Sequence, residues 1–274
     1  MTGAELRHDF VRTLLALTSG VHVRRAYCED MRLEPIVSKQ EGLNSERLRH
    51  LAMRTQSEQD FFFTFTKFTP DHCNPVFIRK GEINDSHYVE EIVSLKPDIL
   101  IAYGCSIIKE PLLRKFDRKI LNVHLGLSPY FRGSSTNYWP LVKGWPEYVG
   151  ATFMYMDPGI DTGEIIHQIR ARIFPGDSPH QIGNRLICDV ALVYAEIIRN
   201  YENLNIMEKI PESFEVEYFR RDDFSEQSVR ILYNNFSDGM IDDYLGNVEE
   251  RCGNVPIIEN PAVRDVETLK ETPL

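Results

Sequence analysis

Apolar residues recur along the first half of the chain with two periods, one typical of helices and one typical of buried strands. Residues 5–17 carry leucine or phenylalanine at positions 6, 10, 14 and 17, which predicts an amphipathic helix. Residues 98–104 (DILIAYG) form a short continuous apolar run, which predicts a buried strand. A helical pattern that begins at Ser86 and stops at Pro97 precedes this run. Helices alternating with strands in this way predict an α/β fold with a parallel sheet.

The remaining elements follow from the same patterns and from capping signals. Five phenylalanines among threonines favour a strand over residues 61–68. Ser178, Pro179 and Gln181 predict the start of a long helix. Further strands are predicted at 21–27, 75–79, 120–123, 149–156 and 164–174, and further helices at 44–59 and within 228–245. The composition changes after Pro211, so we predict a catalytic domain of residues 1–205 and a small C-terminal extension of residues 206–274, ending in a loose tail over 255–274.

The stretch from Lys119 to His167 carries the candidate chemistry. Asn122 and His124 are two residues apart in a predicted strand, so their side chains lie on the same face. They stand near the end of that strand, where open α/β sheets place their ligands. An acidic turn that contains Asp157 and Asp161 follows about one strand later. We therefore expect an amide, an imidazole and a carboxylate to meet at one point.

Three motifs in this stretch resemble those of the formyltransferases that use 10-formyltetrahydrofolate. They are the Asn-x-His pair, the Ser-Pro-x-x-Arg-Gly loop of residues 128–133 and the Met-Asp-x-Gly-x-Asp-Thr-Gly turn of residues 156–163. That family includes glycinamide ribonucleotide transformylase, methionyl-tRNA formyltransferase and the sugar N-formyltransferases, and the resemblance is clear over residues 97–168. It implies a Rossmann-like, mostly parallel sheet with flanking helices. A strand precedes the first helix in this family, so we expect Thr2 and Gly3 to be the turn after a first strand that is missing here.

The resemblance also implies roles for individual residues. Asn122 would stabilise negative charge on the formyl oxygen, His124 would donate a hydrogen bond or carry the proton, and Asp161 would orient the imidazole or a water molecule. The folate is expected to contact Tyr103, Gly104, Cys105, Ser106, Ile107, Asp157 and Asp161, and the acceptor is expected to contact Ser128 and Arg132. Structural alternatives remain, in which His124 is only a hydrogen-bonded strand residue, the aspartates only form the turn, and Arg132 only fixes its loop.

Composition and charge narrow the class of protein. The 274 residues carry a net charge of −10, which repels phosphate backbones, and no basic patch is visible, so nucleic acid is not an expected partner. The five cysteines are scattered and form no CxxC pair, which favours a reducing cytoplasm. We expect no membrane span. We expect no metal site either, because the 157–163 turn lacks the further oxygen ligands of a calcium loop.

The sequence therefore predicts a cytoplasmic N-formyltransferase. N10-formyltetrahydrofolate is the expected co-substrate, and the expected acceptor is a small primary amine, most of all a nucleotide-linked amino sugar. This choice of acceptor rests on chain size and on analogy with the sugar N-formyltransferases. A hydroxyornithine-like amine, methionyl-tRNA and hydrolysis of formyltetrahydrofolate remain alternatives, as does a binding protein without activity. The same resemblance makes a homodimer the expected assembly.

Overall fold

A mostly parallel sheet flanked by helices forms the centre of the computed structural model, which describes residues 1–30, 45–159, 161–208 and 216–270. Within these ranges the strands are β1 (Thr2–Gly3), β2 (Ala26–Glu29), β3 (Pro75–Ile78), β4 (Leu100–Ala102), β5 (Ile120–His124), β6 (Phe131–Gly133), β7 (Gly150–Tyr155), β8 (Ile165–Arg170) and β9 (Glu217–Phe219). The α-helices are α1 (Leu6–Leu17), α2 (Glu46–Phe68), α3 (Ser86–Ser94), α4 (Glu110–Lys115), α5 (Trp139–Lys143), α6 (Pro179–Arg199), α7 (Glu226–Ser237), α8 (Met240–Gly246), α9 (Val248–Gly253) and α10 (Val266–Lys270). The predicted α/β fold class is confirmed.

The main sheet is assembled from two halves that meet at the first strand. One half is the parallel set β1-β2-β3, and the other has the order β4-β5-β7-β8. β4 and β5 are parallel, whereas β7 runs antiparallel to β5 and β8. A parallel bridge between Thr2 and Tyr103 joins the halves, so the order across the sheet is β3-β2-β1-β4-β5-β7-β8. The strand order reverses between β1 and β4, which is the place where open α/β sheets bind ligands.

β1 is only two residues long, but both of its edges are paired. Thr2 and Gly3 pair with the last two residues of β2. On the other side the Met1 ammonium donates a hydrogen bond to the carbonyl oxygen of Ile101 at 2.7 Å. The prediction that Thr2 and Gly3 form a turn is wrong, because β2 and β4 present backbone groups that these residues satisfy as a strand. A cavity of about 500 Å³ lies beside Met1, between the amino ends of β2 and β4.

α2 differs most from the prediction, since the segments assigned to a helix and to a strand form one continuous helix. Phe62 and Phe65 lie one turn apart and pack on Phe10 of α1, with ring centroids 4.8 and 5.1 Å away. The strand prediction over residues 61–68 is wrong because these phenylalanines are spaced for one face of a helix that packs on another helix. Asn44, predicted to begin the helix, lies outside the described residues.

The described residues of the predicted extension pack against the rest of the chain. β9 pairs in parallel with β6, and α7 contacts α2 and α5. The predicted loose tail is wrong for residues 255–270. Four aliphatic side chains there are buried, and the Asn260 side chain donates to the carbonyl oxygen of Ile166 in β8 at 3.2 Å. Burial of these side chains and hydrogen bonds to β8 outweigh the acidic composition that suggested a free tail.

α6 holds the middle of the sheet in place. It begins with the predicted capping box, in which the side chains of Ser178 and Gln181 each bind the other residue's backbone N–H. Farther along α6, Tyr194 is fully buried, and its hydroxyl donates to the carbonyl oxygen of Leu121 in β5 at 2.6 Å. The carbonyl oxygen of Ala102 in β4 lies 3.3 Å from the same hydroxyl. One side chain thus anchors both central strands.

Replacement of Tyr194 by Phe should lower the free energy of unfolding by about 1–2 kcal/mol, because a buried hydrogen bond is lost while the ring is kept. Urea unfolding monitored by circular dichroism measures the change. Tyr201→Phe is the matched control, since the Tyr201 hydroxyl donates to the carbonyl oxygen of Arg118 at 2.7 Å in a more exposed setting. Equal losses in the two variants would contradict the anchoring role of Tyr194.

Candidate active site

A cavity of about 190 Å³ opens at the carboxyl end of β5. Asn122, on β5, is only partly buried and its side chain contributes to the wall. β5 pairs with β4 on one side and with β7 on the other, so Asn122 stands opposite Ala102 and Met154. The loop after β4 completes the wall through residues 105–108, and the end of β7 with the loop after it does so through residues 154–157, 159 and 161–163. The sheet thus positions Asn122 and the two loops around one cavity.

His124 and Asp161 form a close pair beside this cavity. His124 Nδ1 lies 3.3 Å from Asp161 Oδ1, and both side chains are largely buried. The other ring nitrogen, Nε2, lies 3.3 Å from the carbonyl oxygen of Phe131. Burial lowers the pKa of His124 below its usual value, although the Asp161 charge opposes this shift, and the Arg132 charge lowers the pKa further. The imidazole is therefore neutral near pH 7, with a carboxylate ready to stabilise a proton that it gains.

The loop that carries Asp161 is fixed by its own side chains. Asp157 accepts hydrogen bonds from the backbone N–H of Gly159 at 3.0 Å and from the Thr162 hydroxyl at 2.8 Å. At Gly163 a Cβ atom would lie 1.7 Å from the carbonyl oxygen of Tyr155, so no other residue fits there. Asp161 itself has a φ of 53°, a conformation in which aspartate and asparagine are enriched. Asp157 thus has a visible structural function in addition to its position at the cavity.

The loop after β4 is held by two residues that sequence reasoning missed. Glu29, at the end of β2, accepts hydrogen bonds from the backbone N–H groups of Ser106 at 2.7 Å and Gly81 at 2.8 Å. Asn84 donates to the carbonyl oxygen of Ile107 at 3.0 Å. The signal for Glu29 was a carboxylate at the end of an otherwise uncharged strand, AYCE, which needs a polar partner once it is buried. The signal for Asn84 is not visible in the sequence.

The predicted site residues do not all meet at the cavity. Tyr103 and Gly104 are not among its lining residues, because Tyr103 is buried against α1. Ser128 is buried below the loop, where its backbone N–H donates to the Thr152 hydroxyl at 3.0 Å. Arg132 lies on β6, near enough to His124 for its charge to affect the imidazole. The cavity brings together the following predicted residues: Cys105, Ser106, Ile107, Asn122, Asp157 and Asp161.

The surroundings of the site contain no gathering of three or more histidine, cysteine, aspartate or glutamate side chains that could hold a metal ion, as far as the described residues go. The same residues include no helix with the length and apolarity needed to cross a membrane. All five cysteines are free thiols. The chemistry visible at the cavity is therefore that of an amide donor, a neutral imidazole and a carboxylate.

Comparison with known proteins finds relatives that are similar to part of this chain. A family model described as formyl transferase matches residues 38–196. The chain is 33% identical over 127 residues to a methionyl-tRNA formyltransferase of Desulforamulus reducens, which covers 46% of this chain and 39% of that protein. It is 32% identical over 144 residues to one of Alkaliphilus oremlandii, which covers 52% of this chain and 45% of that protein. The chain thus spans less than half the length of these relatives.

The fold is also similar to a crystal structure. This is phosphoribosylglycinamide formyltransferase from Anaplasma phagocytophilum, with a TM-score of 0.52 and 16% sequence identity over 81% of this chain and 96% of that one. At this identity the similarity concerns the fold alone. The family model, however, covers more than half of the chain and includes Asn122, His124 and Asp161. The chain belongs to the formyl transferase family.

Proposed function

We propose that this protein transfers the formyl group of N10-formyltetrahydrofolate to a primary amine of a small acceptor. The observation that carries the proposal is the convergence of Asn122, His124 and Asp161 beside one cavity, with a distance of 3.3 Å between the imidazole and the carboxylate. Membership of the formyl transferase family supports it. The three residue types supply what formyl transfer requires, namely a donor for the formyl oxygen, a base and a group that orients the base.

The cavity suits the bicyclic head of the folate co-substrate. Its volume of about 190 Å³ is below the roughly 300–1,000 Å³ of sites that enclose a drug-sized ligand, so it accommodates part of the molecule. The loop of residues 105–108 offers backbone groups, and a flat heterocycle with alternating donors and acceptors binds well to such groups. The buried hydroxyl of Ser106 has no hydrogen-bond partner among the described residues. This hydroxyl would hold a polar edge of the heterocycle.

Asn122 is positioned to stabilise the charge that develops on the formyl oxygen. Its amide makes no hydrogen bond with the described residues and borders the cavity. A preorganised donor of this kind contributes about 3–4 kcal/mol in comparable acyl chemistry. Because β5 is paired on both sides, the backbone of Asn122 is held in place before the co-substrate arrives.

His124 takes up a proton that the acceptor nitrogen releases. The imidazole is available as a base near neutral pH because burial lowers its pKa. Asp161 stabilises the imidazolium that results and holds the ring in its orientation. We assign Cys105, Ser106, Ile107 and Asp157 to the folate side. Arg132 lies next to His124 and is our candidate for contact with the acceptor.

The proposed acceptor is a nucleotide-linked amino sugar. The net charge of −10 disfavours a polyanionic substrate such as tRNA unless a local basic surface overcomes it. The curated relatives named above are methionyl-tRNA formyltransferases, which makes methionyl-tRNA the alternative acceptor to be tested. Free thiols at all five cysteines support the proposal that the protein works in a reducing cytoplasm.

The function is tested with purified protein, 10-formyltetrahydrofolate and separate acceptors, with release of tetrahydrofolate as the measurement. The acceptors are UDP- and dTDP-linked 4-amino sugars, N5-hydroxyornithine and methionyl-tRNA. We expect release only with an amino sugar. Release with methionyl-tRNA alone would refute the proposed acceptor but not formyl transfer. Release without any acceptor would show hydrolysis, and folate binding without release would show a binding protein.

His124→Asn and Asp161→Asn should each lower kcat by about 100-fold to 10,000-fold, because the base or its partner is lost. Asparagine tolerates the positive φ at position 161, so the loop should be preserved. The rate of the unmodified enzyme should fall as pH decreases through the lowered pKa of His124. Asp161→Asn should shift this fall in rate to still lower pH, because the Asp161 carboxylate is the main group that raises the pKa of His124. A pH profile unchanged by Asp161→Asn would show that Asp161 does not stabilise the protonated imidazole of His124.

Asn122→Asp keeps the shape of the side chain but replaces the amide donor by a carboxylate. We expect kcat to fall by about 100-fold to 1,000-fold or more, because the donor to the formyl oxygen is lost. Asn235→Asp, on α7, is the matched control, since the Asn235 amide donates to the carbonyl oxygens of Leu141 and Val142 away from the cavity. Steady-state kinetics would contradict the assignment if Asn122→Asp retained near-normal kcat.

A further inference from the structure

A second imidazole–carboxylate pair lies at the carboxyl edge of the sheet. His8, in the first turn of α1, is 3% exposed, and its Nδ1 lies 2.6 Å from Glu5 Oε2. The other ring nitrogen, Nε2, makes no hydrogen bond with the described residues. Nδ1 is buried and faces the Glu5 carboxylate, although the angle is not that of a hydrogen bond, so Nε2 is the ring nitrogen that remains for a ligand.

Two glycines make room for this imidazole. A Cβ atom on Gly3, at the end of β1, would lie 2.6 Å from His8 Cε1. A Cβ atom on Gly104, just beyond the end of β4, would lie 2.4 Å from His8 Nε2. The ring of Tyr103 packs on the imidazole at a centroid distance of 4.8 Å. His8 therefore packs directly on the backbone at the ends of two neighbouring strands. A side chain in place of either glycine would displace the imidazole.

This position lies beside the start of the loop that lines the proposed active site. β1 and β4 are the strands between which the strand order reverses, and ligands of open α/β sheets bind in that crevice. Ala102 of β4 stands opposite Asn122 of β5, and Gly104 and His124 each come two residues later in the chain. Neighbouring strands are about 4.8 Å apart. Cys105, the residue after Gly104, already borders the cavity.

The proposed reaction requires two proton transfers. A primary amine of the lysine type enters as an ammonium ion near pH 7. The nitrogen must lose one proton before it can attack, and a second after its electron pair has formed the new bond to the formyl carbon. The bond between the formyl carbon and N10 breaks, and N10 takes its electron pair and one proton. The other proton passes to solvent, so the acceptor nitrogen releases two protons in all.

We propose that His8 Nε2 is the base that accepts the first of these protons, from the acceptor ammonium, and that Glu5 orients the imidazole. The proposal rests on the proposed formyl transfer, in which His124 handles the second proton. His8 then contacts the acceptor and is a catalytic residue, whereas Glu5 is a positioning residue. The two imidazoles would serve the two proton transfers from opposite sides of the acceptor nitrogen.

The charges around His8 are consistent with a base. Burial lowers the pKa of His8, the Arg7 and Arg12 charges on α1 lower it further, and Glu5 raises it. Interaction with His8 lowers the pKa of Glu5 to about 2, so Glu5 remains a carboxylate. Glu58 of α2 binds Arg7 at 2.8 Å and reduces the effect of that cation. The β4 side of the ring is formed by Tyr103, whose pKa burial raises, so it contributes no charge near pH 7.

The test is the pH dependence of formyl transfer in His8→Asn, with the UDP- or dTDP-linked amino sugar turned over by the unmodified protein. We expect kcat/KM for the acceptor at pH 7 to fall by about 100-fold or more, with KM for the folate unchanged. The factor by which His8→Asn lowers kcat/KM should decrease about tenfold for each pH unit as the pH rises toward the pKa of the acceptor amine, because the free amine needs no base. Glu5→Gln should give a smaller loss.

A merely structural role of His8 would lower the rate by the same factor at every pH, and that result would overturn the proposal. His180→Gln is the matched control, because His180 is another buried histidine whose pKa burial lowers, to about 4. Its pH profile should match that of the unmodified protein. Absence of transfer by the unmodified protein would refute the proposed function, whereas transfer with an unchanged pH profile in His8→Asn would refute only the role of His8.

A second measurement needs no acceptor. In ¹⁵N spectra of histidine-labelled full-length protein at pH 7, Nδ1 of His8 should carry the proton that faces Glu5, and Nε2 should carry none. The Glu5→Gln variant should show a lower pKa of His8, because the carboxylate that raises it is gone. A protonated Nε2 in the neutral ring would overturn the proposal, since that nitrogen could not then accept a proton from an amine.

Discussion

The pairing of Met1 and Thr2 with residues 101–103, at the end of β4, is the contact on which the rest of the site depends. The bridge between Thr2 and Tyr103, with the hydrogen bond from the Met1 ammonium to Ile101, makes one sheet out of two half-sheets. Because this pairing sets Gly3 beside Gly104, it decides where α1 begins relative to the cavity. Two parts of the chain separated by 100 residues are thereby brought to one edge.

Two carboxylates then fix the loops at that edge. Glu29 binds the backbone of the loop after β4, and Asp157 binds the backbone of the loop after β7. These two loops surround Asn122 without using its amide, so a donor remains free for a ligand. A site of this kind is rigid before the substrate arrives, which is what stabilisation of developing charge requires. Glu29 is buried, and its two backbone partners offset the cost of burying its charge.

Features that depend on neighbouring residues in the chain could be predicted from the sequence. Features that depend on contacts between distant segments were harder to predict. Asn122 and His124 were predicted to share a face because they alternate in one strand, and a turn with Asp157 and Asp161 could be read from its glycines. The resemblance also led us to expect Asp161 beside His124, but the antiparallel return of β7 that places it there is not visible in the residue patterns. The phenylalanines of residues 61–68 were assigned to a strand, because strand propensity is local whereas their packing on α1 is tertiary.

The surroundings of His8 illustrate the same limit. His8 lies in the helical pattern of the first segment, and its position in the apolar periodicity gives no sign of special chemistry. Its environment is created by Gly3 and Gly104, which are 101 positions apart in the sequence and adjacent only once β1 pairs with β4. By contrast, the capping box that begins α6 is entirely local and was predicted to the residue.

Burial of histidine links the chemistry of this protein to its stability. His8 and His124 have lowered pKa values, and burial also lowers the pKa values of His50, His167 and His180 to about 4. In the unfolded chain each of these groups binds a proton below about pH 6.5. The unfolded state therefore binds more protons, and stability falls as pH decreases from about 6.5 toward the folded values. A decrease in pH protonates both the imidazoles assigned to proton transfer and the imidazoles that fill the core. The fold and the proposed reaction therefore both favour neutral or mildly alkaline conditions.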